Sequence, residues 1–421
     1  MSPVHYEVRI YKNTVPVIDW ELGTGLLEIS TYLSPVVITD VTSYILTDWS
    51  RMSFTQKIND FWYHNISFET TRGSVTTDLL RNTIGVDWIV EVYRKDLISG
   101  DKDKVYEGLN QTVVDQMKND GTFLFNLYGQ GHTSLLKRRV IKPADDADTF
   151  TMTDNGETII KTLVNDQVVS PTDTDRTIRG MIVEADQGEG ETITFSARNT
   201  NLLSGIKKIA LESRVDFGVV VTSIPGILEL QVRPTWGSKR FINNADGNPA
   251  VIFNISNANM NIPILSNNHS DEKNVVYVGG AGQGSDRTII EVEDELATDD
   301  SDWNRREAFV NKGNVSDVAE LSNIGSEYLE DHAATQTLTF NVSQEGPNRW
   351  LRDWVLGDVV SAVYFGNIFL KKIAEISVNV TRPGEAHHET VTAEMVDVPA
   401  EWLLEVTGFS ELEETTVLSG G

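Results

Sequence analysis

Apolar residues in this chain recur at every second position, and only an extended backbone gathers such residues on one face. In the run GTFLFNLYG (121–129), Phe123, Phe125 and Leu127 fall on one side. The same alternation marks VDWIVEVYR (86–94), LTFNVS (338–343), AEISVNVT (374–381) and ETVTAEMV (389–396), and DVVSAVYF (358–365) reads as a further, more continuously apolar strand. Strands of this kind need partners over long sequence distances, so the expected fold is α+β and mainly β. With 421 residues the chain exceeds one ordinary core.

The period changes along the chain and suggests an order of units. Residues 1–34 hold short apolar runs broken by Pro16 and by Gly23 and Gly25, which fits edge strands or an N-terminal docking arm. Residues 35–149 read as a first barrel-like antiparallel β domain. A short helix is expected inside it, because Ser53 and Gln56 have capping-box spacing with Phe54, Ile58 and Phe61 following. Residues 150–235 read as an inserted α/β domain. Asp154 and Glu157 open a helix striped by Ile159, Ile160, Leu163 and Val164, and Asn201 opens another with Leu202, Ile206, Ile209 and Ala210 inward. The strands TITFSAR, FGVVV and ILELQV complete that unit. Residues 236–398 read as a second barrel-like antiparallel β domain, with a polar Asn-rich opening and an inserted helix near 316–331. Residues 399–421 form an acidic tail with five carboxylates and no basic side chain. A weak internal echo pairs Gly85–Tyr93 with Gly357–Tyr364, in each case a Gly and an Asp ahead of a buried strand.

Charge and missing chemistry narrow the function. The formal net charge is -27, from 62 acidic and 35 basic residues, which opposes nucleic acid and anionic lipid over most of the surface. Specific nucleic acid binding and stable membrane insertion are therefore not expected. Cysteine is absent, which removes thiolate metal sites and cysteine nucleophiles. No apolar stretch of signal-peptide or membrane-spanning kind occurs, and a soluble chain is expected. The nucleophile elbow, P-loop and HExxH patterns do not occur. The His387-His388 pair precedes Glu389 in an expected hairpin, where neighbouring side chains diverge, so a metal site is not expected. The glycine run Gly279–Gly284 lacks a helix directly behind it and reads as a flexible strand connection rather than a phosphate cradle. Seven carboxylates between Glu291 and Asp302 lack EF-hand spacing and read as a solvated loop. The basic runs Lys137-Arg138-Arg139, Lys207-Lys208, Arg305-Arg306 and Lys371-Lys372 suggest intersubunit salt bridges. No catalytic, cofactor-binding or metal residue is assigned, and the chain is expected not to be an enzyme.

Particular segments add a resemblance. Gly131–Ile141 (GHTSLLKRRVI), Thr153–Val164 (TDNGETIIKTLV) and Asn201–Ala210 (NLLSGIKKIA) follow in the order found in tail-tip or baseplate hub proteins of tailed bacteriophages. Asn274–Arg287, Trp303–Ala308 and Leu356–Val360 resemble the second half of that family. The likeness runs from about residue 35 to 397. It implies a structural hub in the virion, assembled in the host cytoplasm: a homotrimeric ring with two barrel-like domains per subunit that imitates sixfold symmetry. Implied partners are a distal tail protein or tail tube ring, the tape-measure protein and a central spike or fibre, around a DNA exit channel used in ejection. The chain stops soon after the second strand-rich unit, so a fibre or cell-wall hydrolase is expected on separate chains. The competing expectation is a receptor- or carbohydrate-binding tail protein with weak glycosidase activity, using exposed tryptophans such as Trp62, Trp236, Trp303 and Trp350. Against it stands the expectation that most tryptophans fill cores or subunit contacts.

Overall fold

The period-two runs pair into one large sheet. The computed structural model describes residues 4–12, 43–46, 49–71, 75–144, 147–224, 226–244, 246–299, 301–343, 346–382 and 387–398. Its 14-stranded sheet runs in the order Met260–Asn268, Thr335–Val342, His388–Asp397, Asn367–Thr381, Trp49–Lys57, Tyr63–Thr70, Phe123–Gln130, Lys102–Met117, Ile89–Asp96, Val4–Tyr11, Ser43–Leu46. Val359–Tyr364 also pairs with Asn367–Thr381, and Lys239–Arg240 and Ile252–Asn254 lie parallel to it. Strands from both strand-rich stretches of sequence thus share one hydrogen-bonded ladder. Their inward side chains share one core, where Phe54 meets Tyr106 at 5.8 Å and Trp350 at 6.2 Å between ring centroids. Burying a side chain of this size contributes about 2–3 kcal/mol.

The two stretches join at Asn367–Thr381. Residues 375–381 of this strand pair with Trp49–Lys57, whereas residues 367–372 pair with Val359–Tyr364. The change falls at a register shift between Ile373 and Glu375. There Ile58 donates its backbone N–H to the Ala374 carbonyl at 3.0 Å, and Gly357 donates to Ile373 at 2.9 Å. A bulge bends a strand and releases it from one neighbour so that it can take another.

The helix expected from Ser53 is not formed. Trp49–Lys57 is a strand, bonded on one side to Tyr63–Thr70 and on the other to Asn367–Thr381. Met52 and Phe54 are fully buried, and Gln56 Nε2 donates to the Val105 carbonyl at 2.7 Å. A capping box is worth about 1 kcal/mol, and each of the ladder bonds a helix would forfeit on two flanks is worth a similar amount. The ladder wins on number. Val4–Tyr11 turns its Val4, Tyr6, Val8 and Ile10 inward and pairs with Ile89–Asp96 and Ser43–Leu46. Residues 1–3 and 13–34 of the expected arm, residues 35–42 at the start of the expected first β domain, and the acidic tail at 399–421 lie outside the described residues.

Between residues 150 and 235 the expected helices form. Gly156–Val164 and Leu202–Glu212 bury the predicted stripes against Phe217, Leu230 and Val232. The second helix is capped by Asn201, which accepts from the Ser204 N–H at 3.3 Å. Ile89, Leu109, Leu135 and Leu136 belong to the same core, which roots this α/β segment on the large sheet. Farther on, Val275–Gly279 lies between antiparallel Ile289–Glu293 and parallel Glu307–Asn311. Helix Val318–Asp331 covers one face of this small sheet through Leu321 and Leu329. It can come close because Gly325 has no Cβ, which would otherwise stand 2.5 Å from Val292 Cγ2.

Candidate functional site

A group of ionisable side chains, most of them buried or half-buried, lies where the large sheet meets the α/β segment. Strand Phe123–Gln130 ends at Gly131, whose N–H donates to the Trp62 carbonyl at 2.7 Å. A 3-10 helix, His132–Arg138, follows directly and buries its first residues, His132 to Leu136. This turn places His132 Nε2 at 3.0 Å from Glu107 Oε1, on the neighbouring strand Lys102–Met117. Lys104, three residues earlier and brought to the same side by a register shift at Val105, donates to the other Glu107 oxygen and to Glu91 Oε1 at 3.3 Å. Tyr11 and Tyr93 hydroxyls complete the shell by donating to Glu91 at 3.2 and 3.0 Å.

The electrostatics follow from burial and pairing. Burial alone would push the Glu107 carboxyl up, but His132 and Lys104 outweigh it and hold the carboxyl below its usual range. Burial likewise works against the Lys104 ammonium, and Glu107 and Glu91 reverse that, so its pKa is raised. Tyr11 is pushed well up by burial and by Glu107 and Glu91, which keeps its hydroxyl a donor. Because Glu107 accepts from Nε2, the imidazole proton sits there, and the buried Nδ1 has no partner.

Two cavities meet at this cluster. One, of about 280 Å³, is walled by aromatic and apolar groups including Trp62, Tyr106, Phe217 and Trp236. The other, of about 530 Å³, is lined on its far side by Arg138, Arg139 and Arg179. Lys104, Glu107 and His132 line both. The arrangement can hold polar ligands and fix the two units relative to each other. The adjacent Thr133 hydroxyl accepts from the Val219 N–H at 3.1 Å, which ties the 3-10 turn to the α/β segment.

A second buried ionic group joins the two ends of the chain. Arg94 grips Glu389 through Nε at 2.9 Å and Nη2 at 2.7 Å, and the Tyr6 hydroxyl donates to the same carboxylate at 2.6 Å. The Tyr6 backbone N–H donates to His387 Nδ1 at 2.8 Å, and the His387 ring stacks on His5 and meets Trp49 edge-on. His387 and Glu389 thus tie the strand His388–Asp397 to Val4–Tyr11 and Ile89–Asp96 through side chains. No group of three or more His, Cys, Asp or Glu able to hold a metal occurs among the described residues.

The remaining features picked from sequence separate into distinct roles. Members of each basic run, expected to reach between subunits, find acidic partners within the chain: Arg138 with Asp87, Lys207 with Asp60, Lys208 with Glu212, Arg305 with Glu291, Glu293 and Glu307, Arg306 with Glu272, Lys371 with Asp397 and Lys372 with Asp216. The glycine run is not loose, because Arg287 donates to the Gly279 and Gly280 carbonyls at 2.8 and 3.1 Å and fills the turn. In the acidic stretch, Glu291 and Glu293 pair with Arg305, and Asp294 caps the short helix Glu295–Thr298 by accepting from Ala297 N–H. Of the four tryptophans considered for sugar stacking, Trp350 is buried, Trp62 and Trp236 are half-buried, and Trp303 is 93% exposed. The echo at Gly85 and Gly357 hides different chemistry: Asp87 pairs with Arg138 at the surface, whereas buried Asp358 accepts from Ser238 and Val355 N–H groups and from Arg240.

Sequence reasoning missed the Glu107–His132 pair. Residues 105–110 are buried on both faces, so the alternation that marks other strands is absent there, and the pair forms only where the 3-10 turn packs on that strand.

Comparison with known proteins bears on these features. Residues 51–392 match the model of the family described as Siphovirus ReqiPepy6 Gp37-like protein. No curated protein matches the chain. Among solved structures, the prophage MuSo2 43 kDa tail protein from Shewanella oneidensis is similar at a TM-score of 0.53 and 13% identity, over 85% of this chain and 97% of that one. The tail protein from Neisseria meningitidis is similar at 0.50 and 13%, over 84% and 94%. A lidless PdpA-VgrG complex is similar at 0.51 and 8%, over 94% and 65%. At such identities the likeness shows a shared fold.

Proposed function

The chain belongs to the Siphovirus ReqiPepy6 Gp37-like protein family and has the fold of phage tail proteins, and on that footing we propose that it is the hub of a phage tail tip or baseplate. In this reading it is a structural virion component, assembled in the host cytoplasm as a homotrimeric ring. The ring joins a tail tube or distal tail ring to a central spike or fibre, encloses the tape-measure protein and lines the DNA exit channel.

The observation that carries the reading is the single ladder formed by both strand-rich stretches, with Asn367–Thr381 shared between them. A subunit built this way presents two β surfaces in fixed relation, which is what a threefold ring needs to offer six similar contacts to a sixfold tube. The division into an N-terminal arm, two β units, an α/β unit and a tail is part of the proposal. The net charge of -27 supports the channel, since a like-charged wall does not retain DNA. Light scattering across concentration with negative-stain imaging tests the hub: a threefold ring with a central opening is expected, and a monomer at all concentrations, also in the presence of tail-tube protein, would sink it. No catalytic role is proposed, and the chain should not clear peptidoglycan in a turbidity assay.

Trp303 favours one second reading. Its indole stands 93% exposed, and the short helix Glu295–Thr298 also exposes Leu296; an aromatic face in water can stack on a sugar ring. Specific retention on a glycan array, lost in Trp303→Ala, would support receptor binding by the isolated chain.

A further inference from the structure

The larger of the two cavities carries a charge imbalance that the hub role does not use. Its lining carboxylates are all engaged: Asp87 by Arg138, Glu91 by Lys104, and Glu107 by Lys104 and His132. Arg139 and Arg179 line the same space and form no ion pair among the described residues. Arg139 donates only to the carbonyls of Arg176 and Arg138, and Arg176 only to the carbonyl of Val140. Two guanidinium groups without an ion-pair partner therefore line one cavity, with Arg176 near enough to Arg139 to act on its charge, in a chain with nearly twice as many acids as bases. Burial, then Arg176 and Arg138, depress the Arg139 pKa, which is the mark of cations crowded without an anion. On the inner wall His132 is 95% buried by its exposure of 5%, and its Nδ1 has no partner.

We propose that this cavity is a binding site for a small oxyanion, a phosphate or a carboxylate, held by Arg139 and Arg179 with Arg176 behind them. Guanidinium forks match the paired oxygens of either group. The volume of about 530 Å³ admits a ligand larger than the bare anion, such as a phosphate monoester or an amino acid, with its body toward Ile89, Leu109 and Leu228.

The test is calorimetric titration of the whole chain with inorganic phosphate and, separately, with L-glutamate. One saturable site per chain for either probe is expected. Arg179→Ala, which removes a side chain with no bond in the fold, should weaken it about tenfold, the loss of one charge-assisted hydrogen bond. Arg179→Lys should recover part of the affinity. Uptake that does not saturate, or equal affinity in Arg179→Ala, overturns the proposal. Arg179-dependent binding of a short DNA duplex with no response to either small anion would overturn it as well, because the groups would then serve a nucleic acid backbone.

Discussion

Arg94 and Glu389 meet as a two-point ion pair across 295 positions of sequence, with Nε and Nη2 at 2.9 and 2.7 Å from the two carboxylate oxygens. Both side chains are over 90% buried, at 7% and 6% exposure. Removing one partner strands the other, so Arg94→Ala should destabilise the fold by about 3–5 kcal/mol in urea unfolding. The paired replacement Arg94→Met with Glu389→Leu should recover most of that loss. If the double variant is no better than the single one, the pair does more than neutralise itself.

Acid should loosen the same region. Burial, His5 and Arg382 lower the His387 pKa to about 4, and burial alone lowers that of His64 to about 3. An unfolded imidazole titrates near about 6.5, so the unfolded chain takes up these protons first. The stabilisation is complete above that value and is lost as pH falls toward 4. Protonation at His387 Nδ1 would also break its bond from Tyr6 N–H. The unfolding midpoint should therefore decline between pH 6.5 and 4, and less steeply in His387→Gln. An unchanged slope in that variant would place the sensitivity elsewhere.

Two tryptophans should behave oppositely. Trp350 is 2% exposed and packs on Phe54, so Trp350→Ala should cost about 3–5 kcal/mol. Trp303 is solvent-exposed, and Trp303→Ala should leave thermal stability within about 0.5 kcal/mol of the original. A large loss at Trp303 would mean that its side chain packs against another copy in solution.

Glycine is required at position 237. A Cβ there would fall on the Asp358 nitrogen and the Gly357 carbonyl carbon, backbone atoms that have no room to move. Gly237→Ala should lower stability by about 1–3 kcal/mol. Gly313→Ala, where the nearest atom is 3.6 Å away, should be close to neutral and serves as the control.

The comparison of sequence with structure divides along physical lines. Strands with one buried face, such as Phe123–Gln130 and His388–Asp397, announce themselves by alternation. Helices Gly156–Val164 and Leu202–Glu212 do so by stripe and cap. Trp49–Lys57 misleads because Ser53 and Gln56 carry a local helix signal that two flanking strands override. The 16-residue strand Lys102–Met117 hides because residues 105–110 are buried on both sides. Buried pairs such as Arg94–Glu389 and His132–Glu107 depend on how separate elements come together in the fold, and no spacing in the sequence encodes them.

The strand Asn367–Thr381 also determines how the molecule carries a pull. Force applied to the Trp49–Lys57 side reaches the Val359–Tyr364 side along one unbroken backbone, flanked by antiparallel hydrogen bonds in both directions from the bulge. Those bonds are loaded together in shear instead of opening one by one. A pull along this strand would therefore load the hydrogen bonds of both halves at once, with the bulge at Ile373–Glu375 as the one irregular point between them.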